Sequence, residues 1–217
     1  MSKIRLLDEQ LCNLIAAGEV VDRPSAIVKE LVENAVDAGA RQITVGIKNG
    51  GLDEITVSDD GSGMSRDDLE LCCLTHATSK IRSLDDLKTS NTLGFRGEAL
   101  PAAAAVSRLE IISSTDDREA WKLCTGIKTS LEQSRRTKGT SVRALGLYDT
   151  IPARKQFLKR PGSEAAACRQ IFNEKALAHP NLTFRFTQDG ILKCFLVRTT
   201  LVTLENENIL GSFRSWQ

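Results

Sequence analysis

Apolar residues recur along this chain at two spacings, and those spacings divide it into helices and strands. From Asp8 to Gly18, Leu11, Leu14 and Ile15 fall on one face, so the segment reads as a short helix with Asp8 as N-cap. Pro24 suits a first helical turn, and Ile27, Val28, Leu31, Val32 and Ala35 then keep a 3.6-residue rhythm until Gly39. Arg41 to Lys48 alternates through Ile43, Val45 and Ile47 as a strand. Asn49-Gly50-Gly51 makes a turn, and Ile55 and Val57 carry a second strand, which closes a hairpin.

Residues 61–91 are short helical pieces among small polar residues and read as loop and lid. Gly97 to Val106 reads as a helix that tolerates Pro101 because it falls in the first turn. Leu109 to Ser113, Trp121 to Thr125 and Thr140 to Leu145 read as strands. Ala165, Cys168, Ile171, Phe172 and Ala176 give Gly162 to His179 a helical period. Phe184-Arg185-Phe186 and Leu192 to Val197 flank Asp189-Gly190, a type I′ hairpin signal. Helices interleaved with a largely antiparallel set of strands predict a two-layer α/β sandwich rather than a doubly wound parallel sheet. One domain is expected over residues 1–205. Residues 206–217 carry no pattern and are expected to be a tail or the truncated start of a following domain.

Composition narrows the function classes. With 217 residues, 41% hydrophobic and 26% charged, the chain supports one large core. A net charge of +1 gives no global basic field, so nucleic acid would need a local patch. Arg135, Arg136 and Lys138, and Arg154, Lys155, Lys159 and Arg160, are the two clusters; each reads first as a solvated charged face and second as such a patch. No apolar signal segment follows Met1 and no run is long enough to span a membrane, which points to the cytoplasm. The six cysteines lack C-x-x-C spacing and only two histidines accompany them, so free thiols are expected rather than zinc or disulfides.

Three segments carry chemistry. In the first, Glu30 and Asn34 are four apart on one helix face, with Asp37 near the same line. Phosphoanhydride hydrolysis needs a carboxylate near the attacking water and a Mg²⁺ ion with oxygen ligands, which Glu30 and Asn34 supply. The alternative is a surface stripe in which Lys29 and Glu33 are a plain i, i+4 ion pair. The second is Asp59-Asp60-Gly61-Ser62-Gly63: Asp59 at a strand end can accept from an adenine amino group, while its glycines let backbone approach a flat ligand. The alternative is a tight acidic turn. The third is Gly94-Phe95-Arg96-Gly97-Glu98-Ala99-Leu100, whose glycines open a helix and leave N–H groups for phosphate oxygens. It is neither a Walker nor a Rossmann loop. Thr78-Ser79-Lys80 adds hydroxyls and a cation.

Five segments carry a resemblance. Ile15 to Val21, Lys29 to Ala40, His76-Ala77-Thr78-Ser79-Lys80-Ile81, Gly94 to Leu100 and Pro152-Ala153-Arg154 together resemble the MutL family of DNA mismatch-repair proteins, over about residues 3–160. That family belongs to the GHKL superfamily with topoisomerase ATPase subunits, histidine kinases and an ATP-driven chaperone. The resemblance implies the Bergerat fold, helices over a mixed, mostly antiparallel sheet. It implies ATP and Mg²⁺ as cofactors, Glu30 as the water-orienting base and Asn34 as metal ligand. Asp37, Ala38, Asp59, Gly63 and Met64 become nucleotide contacts, with Thr140 helping from the far sheet through water. Thr78, Ser79 and Lys80 become the lid, and Gly94, Phe95, Arg96, Gly97, Glu98, Ala99 and Leu100 the phosphate loop.

The family pattern is Asp-Asn-Gly where this chain has Asp59-Asp60-Gly61, and the added charge at Asp60 is expected to weaken nucleotide affinity modestly. Family members continue into a second domain whose lysine reaches the γ-phosphate, then into a dimerisation domain. The resemblance therefore implies a slow, switch-like ATPase that forms an ATP-dependent homodimer, binds DNA weakly and works with a mismatch sensor and a downstream nuclease or helicase. Its setting would be a bacterial cytoplasm, at the nucleoid. A nucleotide-binding module without useful turnover is the alternative.

Overall fold

The computed structural model describes residues 8–75, 77, 98–126 and 128–198. Two helices come first, α1 (Glu9–Val20) and α2 (Pro24–Asp37). Strands β1 (Gln42–Lys48) and β2 (Glu54–Asp59) follow, joined by a 3-10 turn at Asn49–Gly51. After these lie α3 (Arg66–Leu71), α4 (Ala99–Val106), β3 (Arg108–Ser114), β4 (Ala120–Cys124), β5 (Ser130–Ser134) and β6 (Gly139–Leu145). The last elements are α5 (Pro152–Lys155), α6 (Pro161–Ala178), β7 (Thr183–Gln188) and β8 (Ile191–Leu196).

The strands make one sheet in the order β5-β4-β3-β6-β2-β1-β7-β8. Its neighbours are antiparallel except β1 and β7, which run parallel. The mixed, mostly antiparallel sheet predicted from the sequence is thus the one that forms. Strand alternation sends Ile43, Val45, Ile47, Ile55, Val57, Leu109, Ile111, Phe184 and Phe186 into a core shared with Ile27, Val28, Leu31 and Val32 of α2. Each such side chain contributes about 1.5–3 kcal/mol on burial. The opposite face is polar: Arg143 bridges Glu54 at 3.0 Å and Glu110 at 2.8 Å, and Ser58 bonds Ser141 at 2.7 Å.

Helix α6 is fastened twice. Phe172 packs on Phe184 edge-to-face at 5.8 Å and on Phe186 at 5.0 Å. Lys175 meets Glu33 of α2 at 2.5 Å. Glu33 is therefore a buried group between helices; Lys29, read as its plain surface partner, stands off at 4.0 Å. The β7–β8 turn has Asp189 at φ 51° and Gly190 at φ 79°, both left-handed as a type I′ turn requires.

Strand β5 was not legible, because Ser-Leu-Glu-Gln-Ser at a sheet edge buries no residue fully, has Leu131 as its one apolar side chain and shows no apolar alternation. The one-turn helix α5 is too short for any periodicity. Helix α1 runs on past Gly18 to Val20. The lid residues Thr78, Ser79 and Lys80, the loop Gly94 to Gly97, and residues 199–217 lie outside the described residues.

Candidate functional site

Strand β2 ends at Asp59 beside the start of β6, and the site is built where these two strand ends meet α2. The Asp59 carboxylate uses one oxygen, Oδ1, to accept both the Gly61 N–H at 2.8 Å and the Thr140 N–H at 3.3 Å. Among the described residues the other oxygen has no hydrogen-bond partner. Burial pushes the Asp59 carboxyl above its ordinary value; the Gly61 and Thr140 amides and the Arg136 charge oppose that shift.

The loop after Asp59 folds onto the end of α2. The Ser62 N–H donates to the carbonyl of Ala38 at 2.8 Å, so Ala38 and the loop are joined. Gly63 has φ +71°, and a Cβ there would stand 1.9 Å from the Ser114 carbonyl. Its glycine serves close packing onto β3, and Gly61 likewise presses on Ala38. The Met64 N–H donates to Ser113 Oγ at 2.8 Å, and Ser113 Oγ lies 2.9 Å from Thr140 Oγ1. Asp59, Met64 and Thr140 are thereby tied into one hydrogen-bonded unit.

One expectation needs correction. Thr140 stands on β6, the direct neighbour of β2 in the same sheet, so it does not reach across from a far sheet. The Asp60 carboxylate turns away to accept the Arg41 and Gln42 N–H groups at 2.7 and 2.8 Å. It caps the start of β1, and its charge is only the last contributor to the Asp59 shift.

Glu30, Asn34 and Asp37 are half-buried along α2, on the stretch that leads to Ala38. Glu30 Oε1 has Lys29 Nζ at 3.4 Å. Glu98 is the N-cap residue of α4, and Ala99 and Leu100 form its first turn, half-buried. Helices α2 and α4 touch.

Sequence reasoning missed three contributors. Arg136 was grouped with a charged cluster, yet its Nη2 donates to the carbonyls of Asp59 and Thr140, the latter at 2.8 Å. Its Nε is buried without a hydrogen-bond partner among the described residues. Burial pulls the guanidinium below its ordinary value, and the Asp59 carboxylate opposes this. Gly139 has φ +118°, and a Cβ there would meet the Asp59 carbonyl at 2.2 Å. Ser113 joins Met64 to Thr140. No local pattern marks any of these: Arg136 meets Asp59 across 77 residues and Ser113 meets Met64 across 49. In the second basic cluster, Arg154 bonds the Gly18 carbonyl and Lys155 pairs with Asp149 at 2.6 Å.

Residues 23–153 match the model of the histidine kinase-, DNA gyrase B-, and HSP90-like ATPases, and the chain belongs to that family. Within it the similarity is to MutL. The DNA mismatch repair protein MutL of Clostridium tetani is 41% identical over 99% of this chain and 34% of its own length. That of Caldanaerobacter subterraneus is 47% identical over 87% of this chain and 32% of its own. The chain spans about a third of the length of these curated relatives. A crystal structure of the N-terminal domain of a DNA repair protein superposes with TM-score 0.76 at 31% identity, covering 90% of this chain and 59% of that one. The Aquifex aeolicus MutL ATPase domain in complex with ADP has the same fold, with TM-score 0.66 at 24% identity over 84% of this chain and 66% of its own.

Proposed function

We propose that this chain is the ATP-binding and slowly hydrolysing module of a MutL-type mismatch-repair protein. The observation that carries the reading is Asp59: two backbone donors converge on Oδ1 and leave Oδ2 for an exocyclic amino group. An acceptor at that position favours adenine over guanine, which presents a carbonyl there. The ADP-bound relative of the same fold adds support.

In this reading Ala38, Gly63 and Met64 line the base pocket, and Asp37 lies at the end of α2 beside it. Glu30 orients the attacking water and accepts its proton. Asn34 offers one oxygen to Mg²⁺, which suits an ion that keeps several waters and takes its other ligands from phosphate. That ion, when bound, neutralises phosphate charge. Glu98, Ala99 and Leu100 start the helix that meets the phosphates with its N–H groups. Thr78, Ser79 and Lys80, with Gly94 to Gly97, complete the nucleotide site. ATP binding orders the lid and brings two copies together, and hydrolysis releases them. Residues 1–205 make up this module. A mismatch sensor and a downstream nuclease or helicase are its partners in the longer protein, and weak DNA contact accompanies them.

Equilibrium ATP binding and steady-state hydrolysis with Mg²⁺, on the wild type beside Glu30→Ala and Asn34→Ala, test the reading. Slow turnover abolished by Glu30→Ala with binding retained is the expected outcome. Turnover unchanged in Glu30→Ala would reject Glu30 as the base. Tight binding with background turnover in the wild type would instead identify a nucleotide-holding module, and no binding at all would sink the assignment.

A further inference from the structure

Cys72 and Cys73 follow α3, and their sulphur atoms lie 3.8 Å apart. Adjacent side chains diverge to opposite faces in a strand. Here Cys72 takes φ −62° and ψ −21° at the helix end, and both thiols finish on one side. Cys72 Sγ donates to the Leu69 carbonyl at 3.1 Å, which fixes its orientation. Both residues are half-buried against the core, flanked by the exposed Leu71 and Leu74.

Sulphur spacing discriminates between two chemistries. A disulfide needs an S–S length near 2.05 Å and Cα atoms about 4.4–6.8 Å apart. Neighbouring residues have Cα atoms about 3.8 Å apart, so closing this pair would distort the backbone. A tetrahedral ion with metal–sulphur bonds of about 2.3 Å holds two thiolates about 3.8 Å apart. The pair already stands at that separation.

We propose that Cys72 and Cys73 chelate one soft, thiophilic d¹⁰ cation of the zinc and cadmium class. Binding forms two metal–sulphur bonds, displaces two waters from the hydrated ion, breaks the Cys72 S–H hydrogen bond to the Leu69 carbonyl and releases the two thiol protons to water, with no electron transferred. Thiolates select such ions over hard cations, so this site does not compete for Mg²⁺. No group of three or more His, Cys, Asp or Glu that could hold a metal occurs among the described residues. The described protein therefore supplies two ligands, and water or a small thiol fills the others. The pair belongs to the stretch that runs from the Asp59 loop through α3, so an ion here would pin the C-terminal end of that helix.

The test is a titration of the whole chain with Cd²⁺, followed by sulphur-to-cadmium charge-transfer absorbance and proton release. One ion and two protons per chain are expected, with at least tenfold weaker binding in Cys72→Ser and in Cys73→Ser and none lost in Cys124→Ser. In parallel, Cd²⁺ should shield Cys72 and Cys73 of the wild type from alkylation, mapped by peptide mass, while Cys124 and Cys194 stay reactive. Wild-type affinity in both serine variants, or alkylation of the pair undiminished by Cd²⁺, would overturn the proposal.

Discussion

At the scale of single residues, Asp59 separates ligand binding from folding. Its folded pKa is raised by burial, so the folded state takes up the proton at higher pH than the unfolded chain does. The ionised form therefore costs stability above the folded pKa, and that cost is relieved as pH falls through it. Asp59→Asn keeps the oxygen that accepts the Gly61 and Thr140 amides. It should lose most nucleotide affinity while its thermal midpoint holds or rises slightly, as calorimetry would show. For the wild type, ATP affinity should fall on acidification at a pH above that of an ordinary aspartate. Arg136 holds the backbone carbonyls of Asp59 and of Thr140, whose N–H bonds this carboxylate. Arg136→Gln should weaken nucleotide binding roughly tenfold, about 1.4 kcal/mol, and raise KM more than it lowers kcat. An equal fall in kcat with KM unchanged would assign Arg136 a different role. Asp60→Asn, by contrast, should change neither affinity nor stability appreciably, because an amide oxygen can accept the same Arg41 and Gln42 N–H groups.

Among elements, the contact of α2 with α6 rests on one charged pair within an apolar seam. Glu33 is 6% exposed and Lys175 20%, so removing one partner strands a charge. Lys175→Met should cost about 3 kcal/mol in urea unfolding, and Glu33→Leu combined with Lys175→Met should recover much of it. Additive losses in the double variant would show that the pair is not coupled. These two helices were legible in the sequence because Leu31, Val32, Phe172 and Ala176 repeat at 3.6 residues. The strands facing the core were legible for the matching reason, a period of two through Ile43, Val45 and Ile47. What escaped notice has a physical pattern of its own. The edge strand β5 buries almost nothing, and Arg136, Ser113 and Gly139 act through partners far along the chain. Glu33 was visible as a helix residue, but its partner Lys175 lies 142 residues away and no local spacing announces it.

For the whole molecule, the sheet is the organising body. Helices cover one face, charged and hydroxyl side chains occupy the other, and the strand order places the candidate site at the end of the central pair β6–β2. One edge is different in character. On β8 and just beyond, Ile191, Phe195 and Val197 are 60%, 55% and 64% exposed, beside a row of backbone groups without a further strand among the described residues. Such an edge promotes pairing between copies. Ile191→Lys combined with Phe195→Lys should lower self-association of this chain at high concentration without changing its thermal midpoint. Sedimentation velocity would read the first and calorimetry the second.

The lone parallel pairing also governs when the molecule can be finished. Thr187 of β7 bonds Val45 of β1 across 142 residues, whereas β1–β2 and β3–β4 close through short turns. Contacts of such long range form late, because a large loop must close before they contribute. As a ribosome releases the chain, α2, β2 and β6 emerge well before β7, so the candidate site can assemble while β1 still lacks its outer neighbour. During that interval β1 is an open edge bearing Ile43, Val45 and Ile47, and a nucleotide held at the site as proposed would keep the half-built sheet together.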